Sequence, residues 1–231
     1  TTVLFDLDGT LLPMELEKFT NTYFGLLAKK AAPFGFQPEP LVAAVWKGTK
    51  AMVKNDGTET NDKRFWDTFA GEMGEEVLQL RPVFDGFYAN EFHGAKAACG
   101  ENPLARRAID GLKAKGYDVV LATNPIFPLV GVETRLSWVG LRPEDFSYIT
   151  AYENSTTCKP NPAYYAEILR KTGKRPQECL MVGNDATEDT AALEQGIGVY
   201  LVTDCLLNPK GRDISGVPQG TFAAFLEFAG V

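Results

Sequence analysis

The chain has 231 residues, of which 45% are hydrophobic and 23% charged, values that are ordinary for a globular protein with a full core. With 23 Lys and Arg against 30 Asp and Glu, the net charge is −7, which disfavours binding to nucleic acid because a phosphate backbone needs neutralising cations. No apolar run reaches the roughly 18 residues of a membrane span, and the four cysteines lie far apart, so we expect a reduced, cytoplasmic protein with no membrane partner.

Short apolar runs, each ending in polar or glycine residues, predict strands that are buried on both faces of a parallel sheet. These runs are 3–7, 117–123, 146–150, 179–183 and 198–203. Helical patterns lie between the later runs, over 103–115 and 162–172. This alternation of strands and helices predicts an α/β fold with right-handed crossovers.

The stretch 14–93 interrupts the alternation with four successive helical patterns, at 14–32, 40–55, 62–80 and 82–93. Because the stretch follows the first strand, it would sit above the edge where open α/β sheets bind ligands. We therefore predict an α/β core domain formed by 1–13 and 94–231, with a helical domain at 14–93 as a candidate lid.

Two acids stand at the end of the first strand, Asp6 and Asp8. Side chains alternate along a strand, so these carboxylates point the same way and repel each other unless a cation or a proton lies between them. Such a pair can bind a hard metal ion, supply a nucleophile, or divide into one ionised and one protonated acid. Alternatively, Asp8 begins an Asp-Gly turn and Asp6 is merely solvated.

A second acidic group follows the run 179–183, where Asp185 comes after Gly183 and Asn184 and Asp189 lies four residues later. This spacing predicts a helix that carries Asp185 and Asp189 on one face. The simpler alternative is that Asp185 caps the helix, with Glu188 completing a pair that resembles a capping box.

Two further strand ends carry polar groups. Thr123 and Asn124 provide a hydroxyl and a carboxamide, and Lys159 provides an ammonium just before the helix at 162–172. Each alone could be a cap, a turn residue or a solvated lysine. Together with the two acid pairs they would meet at one edge of the sheet. There they fit a Mg²⁺-assisted site for phosphoryl transfer, because that chemistry depends on positioning and charge neutralisation.

In this order, the groups resemble the four motifs of the haloacid dehalogenase-like (HAD) superfamily. The matching residues are Asp6-Leu7-Asp8-Gly9-Thr10, then Thr123, then Lys159, and finally Gly183-Asn184-Asp185 with Asp189. The helical stretch lies between the first and second motifs, where members of the phosphatase type carry a cap. The resemblance therefore implies a Rossmann-like parallel sheet with an inserted all-α cap domain. The chain departs from the family pattern at Pro13-Met14, where many capped phosphatases have an acidic or hydroxyl residue.

The resemblance also implies residue roles. Asp6 would attack the substrate phosphorus to form an aspartyl-phosphate, and Asp8 would protonate the leaving oxygen and then activate water. The residues implied to bind the phosphoryl group are Thr123, Asn124 and Lys159. The ligands implied for a Mg²⁺ ion are Asp6, Asp8, Asp185 and Asp189. A carboxylate attacks an anionic phosphoryl group only where cations offset the repulsion, and Mg²⁺ with Lys159 would provide them.

Asp8 favours a phosphatase, because the superfamily members that cleave carbon–halogen bonds carry Tyr at that position and those that cleave phosphonates carry Ala. We expect the partner to be a small phosphorylated metabolite, since a closing cap excludes water and large molecules. One alternative is a phosphomutase, which keeps both acids. Another is a non-enzymatic phospho-accepting domain, whose motifs occur in a different order. We expect a monomer or a homodimer.

The sequence of the helical stretch gives few indications of which side chains contact the substrate. Lys47, Lys50 and Lys54 share one helix face, which favours a solvated basic surface over contact with a substrate anion. For Trp66, core packing is favoured over a stacking platform. Core packing is also the default for the aromatic residues Phe84, Phe87, Tyr88 and Phe92.

Overall fold

The computed structural model describes residues 1–231, and its centre is a six-stranded parallel sheet with the strand order β3-β2-β1-β4-β5-β6. The strands are β1 (Thr2–Phe5), β2 (Asp118–Leu121), β3 (Tyr148–Ile149), β4 (Cys179–Gly183), β5 (Gly198–Val202) and β6 (Gln219–Gly220). The α/β class is confirmed, and the five predicted apolar runs coincide with β1 to β5. The strand β6 was not predicted, because Gln-Gly carries no apolar pattern.

Helices cover both faces of the sheet. They are α5 (Leu104–Ala114), α6 (Leu129–Trp138), α7 (Pro162–Thr172) and α8 (Phe222–Ala229). The predictions of α5 and α7 are confirmed, whereas α6 and α8 were missed. The reason is that α6 buries Gly131, Arg135 and Leu136 alike, and α8 is apolar at nearly every position, so neither shows a clear alternation of polar and apolar faces.

The four predicted helices between β1 and α5 are present with shifted bounds, as α1 (Leu16–Ala31), α2 (Pro38–Val53), α3 (Asn61–Met73) and α4 (Arg81–Ala89). The prediction of one helix over 62–80 is wrong. Gly74 ends α3 with a φ of +92°, which glycine adopts without steric cost, and a 3₁₀ helix, Glu75–Leu80, follows. The helix predicted to reach 93 ends at Ala89, and a 3₁₀ helix, Glu91–Ala98, continues the chain.

The two crossings between the sheet and this helical insert (residues 14–99) lie side by side. Met14 pairs with Cys99 in an antiparallel bridge, and the Gly100 N–H donates to the Pro13 carbonyl over 2.7 Å. The Asn102 amide also donates to the Leu11 carbonyl over 3.2 Å. The insert is therefore attached at the carboxyl end of β1, directly above the edge of the sheet.

Aromatic side chains pack the insert against the sheet. Phe92 is fully buried, with its ring centroid 5.3 Å from that of Trp138 in α6 and 6.2 Å from that of Phe127. Phe87 is also fully buried and lies 5.9 Å from Phe92. The default of core packing is confirmed for these phenylalanines, because they belong to one hydrophobic cluster that includes Phe5 of β1.

Two expectations from composition concern membranes and disulfides. None of the helices is long and apolar enough to cross a membrane. The cysteines are free thiols, Cys158 and Cys179 being buried, Cys99 and Cys205 half-buried. Burial raises the pKa of Cys158 to about 12, so this thiol stays protonated at neutral pH.

A buried amide joins the start of α3 to the loops of the sheet. Asn61 is fully buried, and its main-chain N–H donates to the Ser155 carbonyl over 2.8 Å. Its side-chain amide nitrogen donates to the carbonyls of Pro125 and Thr157 over 3.2 and 3.3 Å. Its side-chain oxygen accepts from the Asn55 amide over 2.8 Å. These bonds hold the insert over the sheet.

Replacing Asn61 by Ala should leave two loop carbonyls without their partner and remove one of the two hydrogen bonds that the Asn55 amide donates. Each buried polar group that loses its partner costs about 1–3 kcal/mol, and we expect the free energy of unfolding to fall by about 3 kcal/mol. Urea denaturation would measure the change. The matched control is Asn90→Ala, whose exposed amide donates only to the Gly86 carbonyl of the preceding helix α4, with an expected change of about 0.5 kcal/mol or less. Equal effects of the two substitutions would contradict the role assigned to Asn61.

Candidate active site

The carboxyl ends of the strands open into one cavity of about 340 Å³ between the sheet and the insert. Parallel strands bring the ends of β1, β2 and β4 together, as expected from the order of the sheet. The sequence-predicted residues that line the cavity are Asp6, Asp8, Thr123, Asn124, Asp185 and Asp189. Lys159 lies beneath the cavity floor, with its side chain 1% exposed.

One buried ammonium donates hydrogen bonds to two carboxylates at the cavity floor. The Lys159 Nζ donates to Asp6 Oδ1 over 2.9 Å and to Asp189 Oδ1 over 2.7 Å. Burial lowers the pKa of Lys159, but Asp189 and Asp6 outweigh this effect and hold the pKa well above its ordinary value. Lys159 is therefore a permanent cation beside Asp6.

Asp6 nevertheless lacks full compensation of its charge. Burial raises the pKa of the Asp6 carboxyl to about 7, although Lys159 opposes the increase. The neighbouring acids Asp189 and Asp8 raise it further. The second oxygen of Asp6 has only a long contact of 3.4 Å with the Thr10 hydroxyl. The site therefore favours a further positive charge next to Asp6 Oδ2.

Asp8 is paired with an arginine that sequence reasoning missed. The Arg135 guanidinium of α6 donates to Asp8 Oδ2 over 2.5 Å, and its side chain is fully buried. The same guanidinium stacks on the Phe127 ring, 4.2 Å from the centroid. Burial raises the pKa of Asp8 even though Arg135 lowers it, and Asp8 Oδ1 has no hydrogen-bond partner in the protein.

Arg135 gave one weak signal in the sequence. It stands in the largely apolar stretch 129–139, where an arginine needs a buried anion or an exit to solvent. Nothing in that pattern says which anion lies nearby, because 127 positions separate Arg135 from Asp8.

The segment after β4 is a set of turns, so the prediction of a helix that includes Asp185 and Asp189 is wrong. The Asp185 Oδ1 accepts from the main-chain N–H groups of Thr187 and Glu188, over 2.6 and 2.8 Å, as a cap does. The helix that follows is a short 3₁₀ helix, Thr190–Gln195. These turns are favoured because the carboxylates of Asp185 and Asp189 accept hydrogen bonds from nearby main-chain N–H groups, and such bonds compete with those of a helix.

Asp189 is held by bonds on both of its oxygens. Oδ1 accepts from Lys159, and Oδ2 accepts from the Asp185 N–H over 2.8 Å. The approach requires glycine at the end of β4, because a Cβ on Gly183 would lie 2.1 Å from Asp189 Oδ2. In this arrangement Asp189 orients Lys159 and the Asp185 turn.

Glu188 does not complete a capping box. Both of its oxygens accept from the Asn124 amide at 3.1 Å, and burial raises the pKa of Glu188 to about 8. The Asn124 side-chain oxygen accepts from the main-chain N–H of Lys159 over 3.2 Å. Asn124 thus links the ends of three segments, while the neighbouring Thr123 hydroxyl makes no hydrogen bond within the protein and lines the cavity.

The donors at the floor fit Mg²⁺ in the way that this ion is usually bound. No three acidic, histidine or cysteine side chains form a closed metal cage. Mg²⁺ commonly takes one or two carboxylates and keeps its other positions for water and substrate phosphate. Three oxygens are available as ligands. Asp6 Oδ2 and the second carboxylate oxygen of Asp185 are free of strong hydrogen bonds, and the main-chain carbonyl of Asp8 accepts no main-chain hydrogen bond.

A family model for haloacid dehalogenase-like hydrolases matches residues 1–196 of the chain. The chain belongs to this hydrolase family. The prediction of an enzyme of this family is therefore confirmed, and the curated relatives that the chain resembles are phosphatases.

Two relatives and one solved structure illustrate the similarity. A phosphoglycolate phosphatase from Shigella dysenteriae serotype 1 is 25% identical over 84% of this chain and 77% of its own length. A glyceraldehyde 3-phosphate phosphatase from Methanothermobacter thermautotrophicus is 26% identical over 87% and 84% of the two chains. The crystal structure of a HAD phosphatase from Thermococcus onnurineus superposes with a TM-score of 0.62 at 17% identity, covering 100% of this chain and 98% of that one. The structural match concerns the fold alone.

Removing Arg135 should show how much its ion pair with Asp8 stabilises the protein. Arg135→Met leaves this acid without its partner, and breaking a buried ion pair costs about 3–5 kcal/mol. Asp8 is partly exposed, so we expect a decrease of about 3 kcal/mol in the free energy of unfolding, measured in urea. Arg107→Met, on the exposed face of α5, is the control and should change it by about 0.5 kcal/mol or less.

The double variant Arg135→Met, Asp8→Asn separates charge from packing. It leaves no unpaired charge, and we expect it to recover more than half of the stability lost in Arg135→Met. A double variant as unstable as Arg135→Met alone would show that Arg135 acts through packing on Phe127 rather than through Asp8.

Proposed function

We propose that this chain is a Mg²⁺-dependent phosphatase that hydrolyses a small phosphorylated metabolite through an aspartyl-phosphate on Asp6. The observation that carries the proposal is the end of β1, where Asp6 lies against the buried Lys159 and a second acid follows two residues later. The names of the curated relatives, which act on phosphoglycolate and glyceraldehyde 3-phosphate, support a phosphate monoester as the substrate class.

In the first step, an Asp6 oxygen attacks the phosphorus. A bond forms between this oxygen and phosphorus, and the bond from phosphorus to the leaving alcohol breaks. Asp8 donates a proton to the leaving oxygen. Burial raises the pKa of the Asp8 carboxyl, which favours the protonated form that this step needs, and Arg135 holds the carboxyl in place through Oδ2.

In the second step, water hydrolyses the aspartyl-phosphate. Asp8, now ionised, takes a proton from water, whose oxygen attacks phosphorus. The bond between Asp6 and phosphorus breaks, which releases inorganic phosphate and restores the carboxylate. Arg135 fixes the orientation of Asp8 through both steps, since the guanidinium is itself held by the Phe127 ring and by the Gly131 carbonyl at 3.2 Å.

Charge neutralisation makes the attack possible, because both Asp6 and the phosphoryl group are anionic. Lys159 supplies one fixed cation, and the Thr123 hydroxyl is free to bind a phosphoryl oxygen. The groups that would hold Mg²⁺ are the carboxylates of Asp6 and Asp185 and the main-chain carbonyl of Asp8. Asp189 would support the site indirectly, because it accepts hydrogen bonds from Lys159 and from the main-chain N–H of Asp185. When bound, the ion would offset the negative charge on the phosphoryl oxygens.

The proposal predicts loss of activity in variants of the two acids. Phosphate release from p-nitrophenyl phosphate should fall at least about 10³-fold in Asp6→Asn, because the nucleophile is removed. Asp8→Asn should lose about 10²- to 10⁴-fold, the usual contribution of general acid–base catalysis. Asp110→Asn, an exposed acid on α5, is the matched control with unchanged rates. Full activity of Asp6→Asn would overturn the mechanism.

Removal of divalent metal should also abolish activity. We expect EDTA to reduce phosphate release at least about 100-fold, and added Mg²⁺ to restore it. Asp185→Asn should raise the Mg²⁺ concentration needed for half-maximal activity about 10-fold or more, measured alongside Mg²⁺ binding by calorimetry. The exposed Asp213→Asn is the control. Activity that is insensitive to EDTA would contradict the metal requirement.

A further inference from the structure

The walls of the cavity above the acids are aromatic. Eleven aromatic side chains line it, nine of them from the helical insert. Trp46 of α2, Phe65 and Trp66 of α3, and Phe84 of α4 are among those that face the space over Asp6. Aromatic walls of this density bind apolar groups, since removing apolar surface from water is favourable.

The walls hold no cation. No Lys, Arg or His is among the residues that line the cavity, whereas Asp85 lines it as a further acid. Lys47, Lys50 and Lys54 are exposed, as expected from the sequence, and Lys47 pairs with Glu72 outside the cavity. The two cations beneath the floor are committed, Lys159 to Asp6 and Asp189, and Arg135 to Asp8. A carboxylate on the leaving group would therefore meet no cationic partner and would be repelled by Asp85.

Four polar groups of the walls are already bonded to each other in two pairs. The hydroxyls of Tyr23 and Tyr88 are 2.9 Å apart and share a hydrogen bond. The Trp66 indole N–H donates to the Tyr152 hydroxyl over 3.2 Å. A sugar or other polyol carries a hydroxyl on nearly every carbon and would find few free partners among these mainly aromatic walls, so burying it here is unfavourable.

We propose that the leaving group of the substrate is an uncharged, apolar alcohol that contains a ring. This inference rests on the proposed function, because it names the alcohol of the phosphate ester that Asp6 would cleave. Hydrolysis breaks the bond between phosphorus and the alcohol oxygen, and water supplies the hydroxyl to phosphate and the proton to the alcohol. The cavity of about 340 Å³ is at the small end of the range of about 300–1,000 Å³ for ligand sites, which suits one ring system beside a phosphoryl group.

Three esters of similar primary alcohols test the inference without changing the chemistry of the leaving oxygen. They are 3-phenylpropyl phosphate, propyl phosphate and 3-phosphooxypropanoate, which share two methylene groups next to the ester oxygen and end in a benzyl group, a methyl group or a carboxylate. We expect kcat/KM for the phenyl ester to exceed that for the propyl ester by about 10- to 100-fold, and the carboxylate to be the poorest substrate. Equal or better turnover of the propyl ester or the carboxylate would overturn the inference and leave the phosphatase function intact.

A wall variant shows whether the selectivity comes from the cavity. Trp46 lines the cavity and is 52% exposed, so Trp46→Ala should fold and should lower the ratio of phenyl to propyl turnover about 3- to 10-fold. Phe34→Ala is the matched control, since this ring is 46% exposed on the same insert but does not line the cavity, and its ratio should stay within about twofold. An unchanged ratio in Trp46→Ala would contradict binding of the ring at this wall.

Calorimetry on the Asp6→Asn variant separates the two proposals, because it measures binding without turnover. Tighter binding of 3-phenylpropyl phosphate than of propyl phosphate, with no phosphate release from any ester by the unmodified protein, would refute the phosphatase function and support the apolar site. Equal binding of the two esters, with release of phosphate from both, would refute the apolar leaving group alone.

Discussion

Acids outnumber cations at the carboxyl edge of the sheet, and the site depends on how that imbalance is resolved. Five carboxylates line the cavity floor, while two buried cations lie beneath it. Lys159 is shared between Asp6 and Asp189, and Arg135 belongs to Asp8. Burial raises the pKa of Asp6 to about 7, and the neighbouring acids Asp189 and Asp8 add to the increase, so the site favours either a proton or a metal ion. Asp6 in this environment is suited to react with a phosphoryl group once a further positive charge is supplied.

The helical insert forms a roof of aromatic side chains over this charged floor. A substrate that filled the cavity would displace water, and exclusion of water strengthens each electrostatic interaction below. Asn61 holds the start of α3 to the loops after β2 and β3, so the roof is bonded to the same loops that position Thr123 and Asn124. The floor would determine the chemistry, and the walls would select the leaving group. For this reason, similarity to phosphatases of known substrate does not by itself define the alcohol that fits here.

Predictions from the sequence were most accurate where a local pattern determines the structure. The strand β4 has the predicted bounds, because five residues between polar turns suit only a buried strand. The helix α7 also begins and ends as predicted, with Pro162 in its first turn and Gly173 after its end. Predictions failed where two local signals compete, as at Gly74, which divides the predicted helix 62–80, and at Asp185, which binds turn amides instead of entering a helix.

The sequence by itself determined the α/β class, the place of the insert and the set of polar residues at the strand ends, because each depends on short-range periodicity and on the meeting of parallel strand ends at one edge. The tertiary structure decided the partners of those residues. Nothing local couples Arg135 to Asp8 or Lys159 to Asp189, since each pair forms only when distant segments pack together. The apolar, cation-free walls are likewise set by which faces of the four helices turn inward, a consequence of packing that no single helix encodes.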